Sequence, residues 1–184
     1  MDKTKNYYKN TYHHLYNRGA NKAPIFYERE NYLYFLRRMK FYSNKYKIKI
    51  LSYCLMPNHF HLFLKQTTDE YFVSSFISSL LNSYVKSINK KYQHSGTLFE
   101  SKTKSKQIED ETYFVWIIKY ILENPVKAKL ADQIIEWEFS NAKDLVGLRN
   151  GNLTDVKYVE SFFQSRESMI RFLMDKSIKV TYDF

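Results

Sequence analysis

The sequence predicts an α+β fold: a ferredoxin-like core whose mostly antiparallel sheet of four to five strands is covered by helices, with more helices at the C-terminal end. Three observations predict it. Apolar periodicity switches between two and about 3.6 residues in the order strand, helix, strand, strand, helix, strand, helix. Only 4 Gly and 3 Pro occur in 184 residues, so long linkers and low-complexity segments are not expected. A hydrophobic fraction of 44% with 26% charged residues suits one soluble domain able to bury a single core.

Residues 11–17 (Thr-Tyr-His-His-Leu-Tyr-Asn) read as the first strand, ended by Arg18-Gly19-Ala20-Asn21. From Glu28 to about Tyr46, apolar residues recur at Tyr32, Phe35, Leu36, Met39 and Tyr42, the spacing of one helix face. Residues 47–54 then alternate, with Ile48, Ile50 and Ser52 on one side and Lys49, Leu51 and Tyr53 on the other. Met56-Pro57-Asn58 makes a turn into a partner strand, His59 to Lys65.

The clearest helix runs from Glu70 to about Lys90, striped by Val73, Phe76, Ile77, Leu80, Leu81, Tyr84 and Ile88. After Gly96, residues 97–106 read as a further strand with Lys102, Lys104 and Lys106 at period two, three ammonium groups on one face. Glu109 to Glu123 forms another helix, stopped or kinked by Asn124-Pro125, with a short helix through Lys129. Beyond about Phe139, two amphipathic helices (Asp155 to Phe163, Glu167 to Met174) and a short tail are expected. Residues 1–135 are read as one core domain and 136–184 as a helical extension packed on it.

The formal net charge is +10, and 17 Tyr and 14 Phe raise the aromatic content to 18%. Excess positive charge suits a polyanionic partner, since each neutralised phosphate releases counterions. Aromatic rings beside Lys and Arg suit unstacked bases. A solvated basic surface over a Tyr-rich core is the plainer reading, and composition does not decide between them. The single cysteine, Cys54, forbids an internal disulfide, lies in an apolar run and is expected to be a buried, inert thiol. Residues 1–6 lack the apolar region of a signal peptide, and residues 113–122 are too short and carry Lys119, so a cytoplasmic protein without membrane spans is expected.

His59-Phe60-His61 carries the chemistry. On a strand, residues two apart share a face, so the imidazoles project together while Phe60 enters the core. Two imidazoles of fixed orientation are half a divalent-metal site, although a structural or exposed pair has the same spacing. His13 and His14, adjacent on a strand, face opposite ways; one of them joins a sheet face with His59 and His61, more simply as a hydrogen-bonded strand histidine than as a ligand.

Residues 56–64 (Met-Pro-Asn-His-Phe-His-Leu-Phe-Leu) resemble the Met-Pro-Asn-His-hydrophobic-His signature of IS200-like, REP-associated tyrosine transposases. A second block, residues 119–128 (Lys-Tyr-Ile-Leu-Glu-Asn-Pro-Val-Lys-Ala), resembles that family's Tyr-Ile-x-x-Asn-Pro-Val-x-Ala block. Residues 16–21 with Ile25-Phe26 resemble its first strand and loop, and residues 96–106 its fourth-strand region, with Glu100 where a Gln or another polar residue is expected. The blocks span about Thr11 to Leu145, and Trp137-Glu138-Phe139-Ser140 extends the likeness loosely.

The resemblance implies that Tyr120 is the nucleophile. In a chain with 17 Tyr the spacing is the check: Tyr120 and Asn124 are one helical turn apart on one face, and the rival Tyr113 has no such amide. Asn124 can then be a third ligand with His59 and His61, leaving positions for water and a phosphate oxygen, as Mg²⁺ or Mn²⁺ chemistry wants. The implied reaction is attack by Tyr120 on a DNA phosphodiester, giving a 5′-phosphotyrosine and a free 3′-hydroxyl. The implied substrate is single-stranded DNA with an imperfect hairpin of the repetitive extragenic palindromic (REP) kind. The implied assembly is a monomer or a homodimer. No nucleotide cofactor is expected, since no Gly-rich phosphate loop occurs. Arg18, Lys102, Lys104, Lys106 and Lys127 are candidate DNA contacts. Two alternatives remain open at this stage: a replication-initiator or relaxase nickase with the same two-histidine chemistry, and a non-catalytic single-stranded nucleic-acid-binding module on the same sheet.

Overall fold

The computed structural model describes residues 9–70 and 72–178 of the chain. Among them four strands, β1 (Tyr12–Arg18), β2 (Ile48–Met56), β3 (His59–Gln66) and β4 (Lys104–Ile108), form one sheet in the order β2-β3-β1-β4 with every neighbouring pair antiparallel. Helices α1 (Arg29–Lys45) and α2 (Phe72–Tyr92) complete the ferredoxin-like core. No helix among the described residues is long and apolar enough to cross a membrane.

The sheet is apolar on both faces, so it needs two covers. Leu15, Ile50, Tyr53, Leu55, Phe60, Leu62 and Leu64 pack under α1 and α2. The other face, with Tyr12, Leu51, Cys54, Met56, Phe63 and Ile108, packs under α3 (Thr112–Lys127) and the segments that follow it. Those segments contain α4 (Ala142–Leu145), α5 (Val156–Glu160) and α6 (Arg166–Met174). Phe60 is fully buried with its ring 5.5 Å from Phe35, as the strand alternation requires of the residue between two histidines.

The alternation expected along β2 fails at one point. A bulge between Ile50 and Ser52 shifts the register, so Tyr53 joins Ile48 and Ile50 beneath α1 while Leu51 turns to the opposite core. The buried Asn141 side chain satisfies the bulged backbone: its amide donates to the Leu51 carbonyl (3.1 Å), and its oxygen accepts from the Tyr53 N–H (3.0 Å) and the Ser52 hydroxyl (3.2 Å). With Trp137 Nε1 donating to the Leu55 carbonyl and the Leu55 N–H to the Phe139 carbonyl (both 2.9 Å), residues 137–141 cover what would be an open edge.

Three further boundaries differ from expectation. β4 begins at Lys104, because Leu98 and Phe99 turn into the α1/α2 core and the Asn17 amide holds Ser101 and Thr103 out of the ladder (3.0 and 3.2 Å). Lys102 therefore lies outside the strand, and only Lys104 and Lys106 share its face. The helix expected to stop or kink at Asn124-Pro125 runs on to Lys127. Pro125 cannot donate to the Ile121 carbonyl, and the Asn124 amide stands in, reaching the carbonyls of Tyr120 (2.9 Å) and Ile121 (3.3 Å). Of the C-terminal helices, α4 was not expected and α5 is shorter than residues 155–163. The end of the expected short tail, residues 179–184, and the N-terminal residues 1–6 lie outside the described residues.

Candidate active site

Register builds the site. In an antiparallel pair, directly opposed residues share a face, and β1 opposes Tyr16 to His61 and Arg18 to His59. On the other flank of β1, Tyr16 opposes Lys104 and His14 opposes Lys106. One face of the two central strands and β4 thus carries His14, Tyr16, Arg18, His59, His61, Lys104 and Lys106. Helix α3 crosses above it. An open cavity of about 360 Å³ is lined by Tyr16, Arg18, His59, His61, Glu100, Lys104, Tyr120 and Asn124, among others.

The structure brings four of the expected residues together: His59 and His61 from β3, Tyr120 and Asn124 from α3. The Tyr120 ring stands edge-on to His61, with centroids 5.7 Å apart and planes at 90°. Arg18 and Lys104 line the same cavity. Lys106 sits outside it beside His14, whose pKa its charge lowers. Lys127 lies 4.9 Å from the centroid of the Tyr120 ring and 3.1 Å from Glu123. Lys102 lines a different groove, between β4 and α2. Tyr113, the rival nucleophile, is 49% exposed near the start of α3 and lines no part of the cavity.

Both imidazoles have partners that orient them. His59 Nδ1 is 2.7 Å from the Asn58 side-chain oxygen, and the Asn58 amide is itself fixed on the Lys22 carbonyl (3.1 Å). With its proton on Nδ1, donated to Asn58, the imidazole of His59 keeps Nε2 as a lone pair. The His59 ring also meets the Asn124 side chain. Because the Asn124 nitrogen is committed to the Tyr120 and Ile121 carbonyls, its oxygen is the atom turned to the imidazole. His61 Nδ1 lies 3.0 Å from His14 Nε2.

Burial keeps these rings neutral. It pushes the His59 pKa down to about 4, helped by Arg18 and opposed by the contact with Asn124. Burial also takes His61 well below the ordinary histidine value, with His14, His59 and Arg18 adding to the effect. Burial and then Lys106 bring His14 to about 3. The Tyr120 phenol moves the other way, raised by burial and then by Tyr16.

A divalent cation fits this donor set. Two imidazoles from a strand and an amide side chain from a helix line one cavity, and each has a hydrogen-bond partner of its own. Among the described residues no cluster of three or more His, Cys, Asp or Glu could hold a metal, and the Asn124 oxygen is the third donor that this set would use. Sequence reasoning missed Tyr16, Asn58, Glu100 and Ser101 as residues of the site or its support. Tyr16 and Arg18 are two apart on a strand, like His59 and His61, but their common face becomes visible only once β1 is in register with β3.

Comparison with known proteins agrees with this architecture. A family model described as "Transposase IS200 like" matches residues 7–124. A REP-associated tyrosine transposase solved bound to a REP hairpin superposes with a TM-score of 0.65 at 17% identity, covering 84% of this chain and 94% of that one. A protein from Deinococcus radiodurans assigned as a transposase gives a TM-score of 0.46 at 16% identity, covering 66% of this chain and 95% of that one. No curated protein matches.

Proposed function

Because the chain belongs to the IS200-like transposase family, we propose that it is a metal-dependent single-strand DNA endonuclease and strand transferase that cuts hairpin-bearing DNA through a 5′-phosphotyrosine. The single observation that carries the reading is the placement of the Tyr120 ring against His61 while Asn124, one turn on, faces His59. A binding module has no need of that convergence.

His59, His61 and Asn124 would hold Mg²⁺ or Mn²⁺. When bound, such an ion supplies polarisation of a non-bridging phosphate oxygen and neutralises charge that develops during transfer. The protein's own groups do the rest. Arg18 and Lys104, at the cavity wall, hold the scissile phosphate against the sheet. The Tyr120 oxygen attacks phosphorus; the Tyr–O–P bond forms as the P–O3′ bond breaks. The phenol gives up its proton, and the 3′-oxygen leaves with one as a hydroxyl. A later 3′-hydroxyl reverses these bonds, so resealing needs no nucleotide cofactor. The substrate proposed is single-stranded DNA with a REP-like hairpin, of the kind bound by the solved relative.

We also propose that Tyr120 acts in cis, on the histidines of its own chain. Lys119, its neighbour, is 1% exposed, and its ammonium donates to the carbonyls of Phe172, Leu173 and Asp175 (3.0, 3.2 and 2.7 Å). That anchorage of α3 on α6 supports a catalytic unit over residues 1–135 braced by an extension over 136–184. The test is incubation with a hairpin oligonucleotide and Mn²⁺. Wild type is expected to form an adduct that survives denaturant. Tyr120→Phe and the His59→Ala/His61→Ala double variant are expected to form none. Wild type that shifts the oligonucleotide without ever cutting it would leave only a binding module.

A further inference from the structure

His14 is fully buried on the active face yet lines no part of the cavity. Its ring lies nearly parallel to that of His61 (13°, centroids 5.1 Å), and Tyr16 packs on both at 5.1 and 5.9 Å. The three rings hold one another in a fixed orientation on the two central strands. Within that stack, His14 Nε2 and His61 Nδ1 are 3.0 Å apart. Of two neutral imidazoles in such a contact, one donates and the other accepts. If His61 donates, its Nε2 is a bare lone pair. If His14 donates, the remaining proton of His61 sits on Nε2, and His61 cannot be a ligand through that atom.

We propose that His14 is a positioning residue that accepts from His61 Nδ1–H and so holds the His61 Nε2 lone pair toward the cavity. His14 then does for His61 what Asn58 does for His59. The role rests on the metal-dependent reading given above. It is the outer-shell arrangement that fixes tautomer and ring direction in histidine metal sites, with a second imidazole as the acceptor. Neither His14 nor Asn58 touches the reacting atoms; each acts through the imidazole it holds.

Two measurements on the full chain test this. Long-range ¹H–¹⁵N imidazole spectra of the metal-free protein are expected to show His61 protonated at Nδ1 alone. Mn²⁺ titration followed by electron paramagnetic resonance is expected to show His14→Phe binding roughly 10- to 100-fold more weakly than wild type. Oligonucleotide binding in EDTA should stay unchanged. His14→Gln, whose amide oxygen can occupy the acceptor position of Nε2, is expected to recover most of the loss. A wild-type His61 with its proton on Nε2 overturns the proposal, even if His14→Phe fails to fold. So does Mn²⁺ binding by His14→Phe equal to wild type while His59→Ala binds weakly, and then the metal reading stands. Equal Mn²⁺ binding by wild type and His59→Ala instead removes the metal reading, and the role of His14 with it.

Discussion

An imidazole can bind a cation only through a nitrogen that carries no proton, so the partner on its other nitrogen decides what it can do. For His59 that partner is Asn58, the residue between Pro57 and the first histidine of the motif. We predict that Asn58→Ala weakens Mn²⁺ binding roughly 10- to 100-fold while the melting temperature stays within a few degrees. Unchanged Mn²⁺ affinity would mean that Asn58 serves the turn alone. The pair of histidines could be read from strand spacing; Tyr120 and Asn124 came from the family resemblance, with their one-turn spacing as the check. What could not be read was the local reason for Asn124. Pro125 vacates the Ile121 carbonyl, the Asn124 nitrogen fills the gap, and the oxygen is left facing His59. Pairing two adjacent residues in this way leaves no periodic trace in a sequence.

At the scale of elements, α3 and β4 carry the consequences. Lys119 is buried at the end of α6 with its ammonium on three carbonyls and 3.3 Å from Glu123. Lys119→Met leaves those carbonyls unpaired, and we predict a loss of about 2 kcal/mol or more in urea unfolding. A neutral result would show that water or a neighbouring donor replaces the ammonium. β4 makes a distinction among lysines that the period-two pattern hid. Lys104 lines the cavity, whereas Lys102 lies before the strand on the α2 side. Loss of Lys104 is expected to lower the salt dependence of single-strand binding by about 0.7 in log K per log salt, one phosphate contact. Lys102→Ala is expected to leave both that slope and the cleavage rate near wild type. The reverse pattern would move the DNA path to the other side of the strand. The order of strands and helices was legible because apolar periodicity survives in each element. The bulge at Leu51 and the late start of β4 were not, since both are set by side chains distant in sequence, Asn141 and Asn17.

At the scale of the whole molecule, the histidine face ties stability to acidity. His14 and His59 have pKa values depressed to about 3 and about 4, and His61 is also depressed, against 6.5 for an ordinary histidine. Below pH 6.5 the unfolded chain therefore takes up protons that the folded one refuses. Stability of the metal-free protein falls as pH drops from about 6.5 toward 4, by roughly 1.4 kcal/mol per pH unit for each buried histidine involved. Above pH 7 these groups contribute no slope. Carboxylates held low by cations, such as Asp155 beside Lys49, act only nearer pH 4. Urea midpoints that do not move between pH 7 and pH 5 in EDTA would contradict this.

All of these expectations meet at the phenol above the imidazoles. The most direct measurement is to trap the protein–DNA adduct with Mn²⁺ and a hairpin oligonucleotide, digest it, and identify the peptide that keeps the nucleotide. The nucleotide is expected on the α3 peptide, with the phosphate on Tyr120. A nucleotide on Tyr16, on Tyr113 or on any tyrosine outside the cavity would contradict it.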